Sequence, residues 1–189
     1  MISNPIIPHF AWEWMWAPYD ELTYAAVLDN ISPDDIVLEI GAGDCRLARE
    51  IAHISRKVYA IEWNRNLLER SSQELPPNCH VILGDARAVT FPHDVTAAVL
   101  LMRHCTNFAG YWKKLQAVKC RKLVTNARWG MSVEMIDLQS ARIPFAALSS
   151  GWYACSCGNT GFEPGDVENF DNQLLDMVWE VKECPSCTR

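Results

Sequence analysis

The sequence has no basic excess, no long apolar run, no internal repeat and no low-complexity tract. Seventeen Lys and Arg against 23 Asp and Glu give a net charge of −6. That excludes the basic coat of a protein that grips nucleic acid by charge alone, so there is no strong nucleic-acid signature. No apolar stretch approaches the roughly 18 residues of a membrane span, and no membrane partner is expected. The opening MISNPIIPHF has no Lys or Arg and places two prolines where a secretory leader needs a helical apolar core. A cytoplasmic protein is therefore expected. In a reducing compartment, its eight cysteines point to a metal rather than to disulfides. With 189 residues, 49% of them hydrophobic and 21% charged, the chain has room for one full-sized domain and a small appendage.

From Ile36 to Ala127 short β-branched runs alternate with segments of helical period. This is the pattern of a parallel sheet with crossover helices. Strands are predicted at 36–40, 58–62, 80–84, 95–101 and 122–127. Helices are predicted at 45–55, with Leu47, Ile51 and Ile54 on one face, at 64–75, with Leu67, Leu68 and Leu75, and at 108–118, with Phe108, Tyr111, Trp112 and Leu115 inward. A further helix over 19–30 precedes the first strand and is closed by Ser32-Pro33. Right-handed connections then imply an α/β, doubly wound, Rossmann-like, mainly parallel sheet. After Ala127 the helical period fades and Gly and Pro become common. The expected organisation is an aromatic N-terminal segment over 1–17, a main domain over 18–150 and a metal module over 151–189.

The first strand ends at Glu39-Ile40, and Gly41-Ala42-Gly43 turns the chain into a helix. Glycines there allow positive φ and close approach of a ligand to the backbone. Glu62 stands 21 residues after Gly41 at the end of the second strand, where an acid accepts hydrogen bonds from ribose hydroxyls. Arg46 occupies the third glycine position of a dinucleotide fingerprint, which argues against NAD. The third strand ends in Gly84-Asp85-Ala86, a second polar acceptor at the same sheet edge.

With these residues in order, the chain resembles a class I S-adenosylmethionine-dependent methyltransferase over about residues 18–129. The resemblance implies S-adenosylmethionine as cofactor and assigns Glu39 to its methionine part. It also assigns Gly41 and Gly43 to the loop, Glu62 to the ribose, Trp63 to the adenine face and Asp85-Ala86 to the adenine edge. The usual third loop glycine is Cys45 here, at a position expected to face the following helix. Cys45 and Cys79 are expected to be buried small apolar residues.

Methyl transfer needs a nucleophile held in line with the methyl carbon in a dry site more than it needs acid–base machinery. After the fourth strand the base-methylating enzymes carry Asn or Asp, then Pro-Pro and an aromatic; here the stretch is LLMRHCTNF, and the resemblance implies that Met102 lies beside the cofactor. The cofactor half looks like that of the rRNA adenine dimethyltransferases. The loop Gly41-Ala42-Gly43-Asp44-Cys45-Arg46 is more similar to that of small class I lysine methyltransferases. A protein lysine amine is the first expectation for the acceptor; an rRNA adenine or a small molecule is the alternative. A non-catalytic scaffold is the rival of another class. His104 is a candidate base or substrate-orienting donor, and Arg103 a partner for an acidic substrate group or for Asp94 or Glu62. Trp12, Trp14 and Trp16 alternate as on an extended strand, either packing on the main domain or roofing the acceptor site. Lys113, Lys114, Lys119, Arg121 and Lys122 form the one basic cluster, expected to be a solvated face.

In the tail, Cys155-x-Cys157-Gly and Cys184-Pro-x-Cys187 are two tight turns of soft ligands. Four thiolates suit a tetrahedral, structural Zn²⁺ with no open position, and a zinc ribbon is expected. Its partner is an unknown protein or RNA substrate, or it covers a sheet edge.

Overall fold

The computed structural model describes residues 19–69, 74–103, 105–130, 132–165 and 177–188. Trp12, Trp14, Trp16 and His104 lie outside them. Helix α1 (Glu21–Leu28) is started by Asp20, whose carboxylate accepts the Thr23 N–H at 2.7 Å, a capping bond that satisfies an otherwise orphaned donor. Then follow β1 (Ile36–Ile40), α2 (Arg46–Ile54), β2 (Lys57–Glu62), α3 (Arg65–Leu68), β3 (Cys79–Leu83), β4 (Ala97–Leu100), α4 (Phe108–Ala117), β5 (Lys122–Thr125) and β6 (Glu134–Asp137). The six strands run β3-β2-β1-β4-β5-β6, parallel except for β6, which pairs antiparallel with β5.

All five β1 residues are buried, as expected of a strand covered on both faces. Alternation sorts them: Val37 joins Val27, Leu47 and Ile51 of α1 and α2, whereas Leu38 and Ile40 join Trp112 and Leu115 of α4. Ile54, expected inward, is 38% exposed because it ends α2 where the chain turns to β2. The helix expected over 64–75 is a single turn that buries Leu67; residues 70–73 lie outside the description. The five predicted parallel strands are present, β1 with the predicted bounds and the other four with shifted ends, and part of the stretch after Ala127 forms the edge strand β6.

Asp35 pins the strand starts. It accepts the Ser32 N–H, the Thr96 hydroxyl and the Lys122 ammonium, the last at 2.8 Å. Burial works against its charge, but the bonds from Lys122, Ser32 and Thr96 hold its pKa below the ordinary carboxylate value.

A second sheet contains β7 (Gly151–Cys155), β8 (Thr160–Glu163) and β9 (Val178–Val181) in the order β8-β7-β9. Ile143 bridges to Val181, and Ile143 and Phe145 pack on the cluster of Cys155, Val181 and Cys184. The small module thus draws apolar side chains from before Gly151.

Candidate functional site

Strand β1 pairs with both β2 and β4, so the crossover from β3 to β4 reverses the winding direction and opens a crevice at the carboxyl ends of β1 and β4. The loop after β1 is folded for it. Gly41 and Gly43 have φ of +81° and +59°, and Cys45 has φ +61°. The amides of Gly41 and Ala42 both donate to the Ile61 carbonyl at 2.9 Å, tying the loop to the end of β2. A Cβ on Gly41 would lie 3.5 Å from Met102 Cε, so Met102 stands against this turn. Cys45 is fully buried and starts α2 in a left-handed conformation, which L residues adopt at a cost. That demand was not legible from the expectation that it faces the helix.

Three acids converge here. Glu62 is 4% exposed; its Oε2 accepts the Gly43 N–H at 2.9 Å and its Oε1 the Asn64 N–H at 2.8 Å. Burial raises its pKa, against the pull of those donors. Glu39 is 6% exposed, and its Oε2 has no hydrogen-bond partner. Burial, then the charges of Asp44 and Glu62, push its pKa up to about 8. A buried carboxyl oxygen without a partner costs free energy unless a ligand supplies a donor or cation. Asp44 is engaged by the Arg46 guanidinium.

The other crevice residues lie on neighbouring strand ends. Trp63 is 59% exposed after β2. Asp85 follows β3 and pairs with Arg87 at 2.6 Å, and Ala86 is buried. Sequence reasoning missed the support beneath them: Lys114 donates to the carbonyls of Ala86, Arg87 and Val89 at 2.6, 3.2 and 2.5 Å. Its place in a basic run gave no sign of this. Arg103 pairs with neither Asp94 nor Glu62; its guanidinium lies 4.9 Å from the Tyr19 ring centroid. Asp94 is held by Lys57 at 3.0 Å, and Glu62 is occupied by backbone amides.

At the other end of the chain Cys155, Cys157, Cys184 and Cys187 bring their sulfurs within 4.8 Å of one another. The Cys155–Cys187 and Cys157–Cys184 pairs are 3.6 Å apart and the Cys184–Cys187 pair 3.8 Å. A tetrahedron with zinc–sulfur bonds of about 2.3 Å has edges of about 3.8 Å, so the donor set fits that ion. Burial drives the Cys155 thiol up; at Cys157 it is outweighed by donors from Asn159, which lower the thiol's pKa. Gly158, with φ +99°, lets the first turn approach α4: a Cβ there would come 2.9 Å from the Cβ of Phe108.

Two arginines close the seam between the sheets. The Arg128 side chain is 1% exposed and donates to Glu134 of β6 and Glu180 of β9, at 2.6 Å to each from one nitrogen. Arg142 lies 3.6 Å from Glu180 and 4.3 Å from the Trp112 ring centroid.

Residues 19–129 match the family model for ribosomal RNA adenine dimethylase. The chain belongs to that family. The match ends before the cysteine module. Among curated relatives, a probable cobalt-precorrin-6B C(15)-methyltransferase (decarboxylating) of Methanococcus maripaludis is 32% identical over 101 residues, which is 51% of this chain and 55% of that protein. A probable ribosomal RNA small subunit methyltransferase A of Pyrobaculum aerophilum is 43% identical over 56 residues, 30% of this chain and 25% of that protein. The chain spans about half the length or less of these relatives. Among solved structures, the 23S rRNA methyltransferase ErmE is 25% identical with a TM-score of 0.50, covering 57% of this chain and 46% of its own. A precorrin 8w decarboxylase from Methanobacterium thermoautotrophicum, 20% identical with a TM-score of 0.50, covers 66% and 67% and carries the likeness of fold alone. The rRNA adenine dimethylase family and these neighbours agree with the observed Rossmann-like methyltransferase fold. No helix among the described residues is long and apolar enough to cross a membrane.

Proposed function

We propose that the crevice binds S-adenosylmethionine and that the protein transfers its methyl group to an RNA base nitrogen. The observation that carries the cofactor assignment is the buried, unpartnered oxygen of Glu39 at the mouth of the glycine loop. Bound there, the cofactor supplies an electrophilic methyl carbon. Glu39 receives the methionine ammonium, directly or through water, and Gly41 and Gly43 admit it against the backbone. Glu62 keeps lone pairs free for the ribose hydroxyls beyond the two amides it already holds. Trp63 covers the adenine face, Asp85 and Ala86 meet its edge, and Met102 helps exclude water beside the methyl carbon.

The acceptor belongs beyond β4, where the Arg103 guanidinium over the Tyr19 ring gives a cationic wall; His104, next in sequence, is the candidate base. Family membership supports an RNA acceptor over the protein lysine amine that the loop alone suggested. Cys155, Cys157, Cys184 and Cys187 hold one structural zinc in this reading, with no position left for chemistry.

The test is transfer of tritiated methyl to host lysate, with RNA, protein and small-molecule fractions counted separately. Label in RNA is expected. A lysine acceptor must first lose a proton, so label in protein with a rate climbing toward the lysine pKa of about 10.4 would replace the RNA reading.

A further inference from the structure

The basic cluster does not behave as one face. Lys114 is consumed by three carbonyls, and Lys122 and Arg121 by Asp35. Lys113 and Lys119 are left exposed on and just after α4, without an ion pair among the described residues. They border a cavity of about 690 Å³ whose other wall comes from the segment that follows β6 and from the small module. That wall brings Lys182, exposed and without an ion pair among the described residues, and Arg142, laid over the Trp112 ring on the floor and 3.6 Å from Glu180. Ser140 and Ser156 add hydroxyl groups to the rim. Three segments distant in sequence thus focus positive charge in one groove on a chain of net charge −6.

We propose that this groove, between α4 and the cysteine module, holds the phosphate backbone of the RNA substrate. The inference rests on the RNA reading above. Lys113, Lys119 and Lys182 are point charges on flexible stems, suited to phosphates spaced along a strand rather than to the two-pronged capture of one carboxylate. Serine hydroxyls serve the same phosphate and sugar oxygens. Lys119 and Leu138 place the far end of the groove at the amino end of β5, and α4 runs from there back to Phe108 after Met102, so a strand must follow the roughly 15 Å length of α4 to bring its base to the carboxyl-end crevice. Phosphate contacts of this kind set register and orientation, and base choice is left to the crevice.

The experiment uses the full chain and a fluorescein-labelled, mixed-sequence single-stranded RNA of 15 nucleotides, followed by anisotropy from 50 to 200 mM salt. The variant Lys113→Glu/Lys119→Glu/Lys182→Glu should bind the RNA at least tenfold more weakly. Replacing the three lysines by Gln should lower the slope of log K against log salt by about 2, since each lost phosphate contact on a single strand removes about 0.7. Melting temperature and calorimetric S-adenosylmethionine affinity should match the wild type, because all three lysines are exposed and line a groove to which the glycine loop contributes no residue. Unchanged RNA affinity and salt slope in the variants overturn the groove. So does equal competition by poly-glutamate, which would mark it as an acidic-protein site. If the wild type methylates RNA while the variants bind RNA normally, the groove alone falls. If no RNA is bound or methylated, both readings fall.

Discussion

Glu39 is the residue on which the crevice turns, because its buried Oε2 has no hydrogen-bond partner in the folded chain. With a folded pKa of about 8 against 4.5 ordinarily, the ligand-free protein holds a proton there that the unfolded chain releases. Stability from this group is therefore complete below about pH 4.5 and is lost as pH rises through 8. Glu39→Gln should flatten that decline and raise the urea midpoint at pH 8.5 relative to pH 6. Parallel pH profiles for the two proteins would show that Glu39 does not titrate in this range. Glu62 sits beside it with a different task. Glu62→Ala removes both the amide acceptor that shapes the loop and the proposed ribose contact. S-adenosylmethionine binding should weaken by about 1.5–3 kcal/mol, roughly 10- to 150-fold, by calorimetry. Unchanged affinity would remove Glu62 from the site.

Among elements, Arg128 is the more buried of the two arginines at the seam between β6 and β9. Arg128 is nearly inaccessible and satisfies two carboxylates that are 18% and 25% exposed. Breaking a buried pair strands the remaining charges, so Arg128→Met should cost about 3 kcal/mol in urea unfolding. The cost sits at the low end of the usual range because both carboxylates keep some solvent. Adding Glu134→Gln and Glu180→Gln should restore part of it, and a loss below about 0.5 kcal/mol in the single variant would leave the seam to apolar packing. The cysteine turns are the second element-scale feature. Elemental analysis of protein purified without chelator should give one zinc per chain, reduced in Cys184→Ser; undiminished zinc in that variant would reject the four-sulfur site.

For the whole molecule, the two sheets are joined but unequal. The six-stranded sheet has its own apolar clusters on both faces, whereas the small sheet buries little beyond Cys155, Val181 and Cys184. Removing zinc should loosen the small module while the large sheet persists. Because that module supplies Lys182 and Ser156 to the groove, chelation should weaken RNA binding several-fold and leave S-adenosylmethionine affinity in place. Equal loss of both would mean that the large sheet also depends on the metal.

The sequence by itself determined the parallel strands, their order of helices and the ends that carry Glu39, Gly41, Gly43, Glu62 and Asp85. Alternation and helical period record burial locally, and a βα unit places its loop at the strand's carboxyl end wherever the unit occurs. Cys155, Cys157, Cys184 and Cys187 were legible for the same reason, since tight turns fix each pair through short-range geometry. Only the tertiary structure decided partners drawn from distant segments. Arg103 met Tyr19 rather than an acid, Lys114 left its basic run to clamp the loop after β3, and Arg128 crossed to Glu180. A charged side chain on a long stem has several partners within reach along the sequence. Which one it takes depends on how the sheets pack, and that information is spread over the whole chain rather than carried by its neighbours.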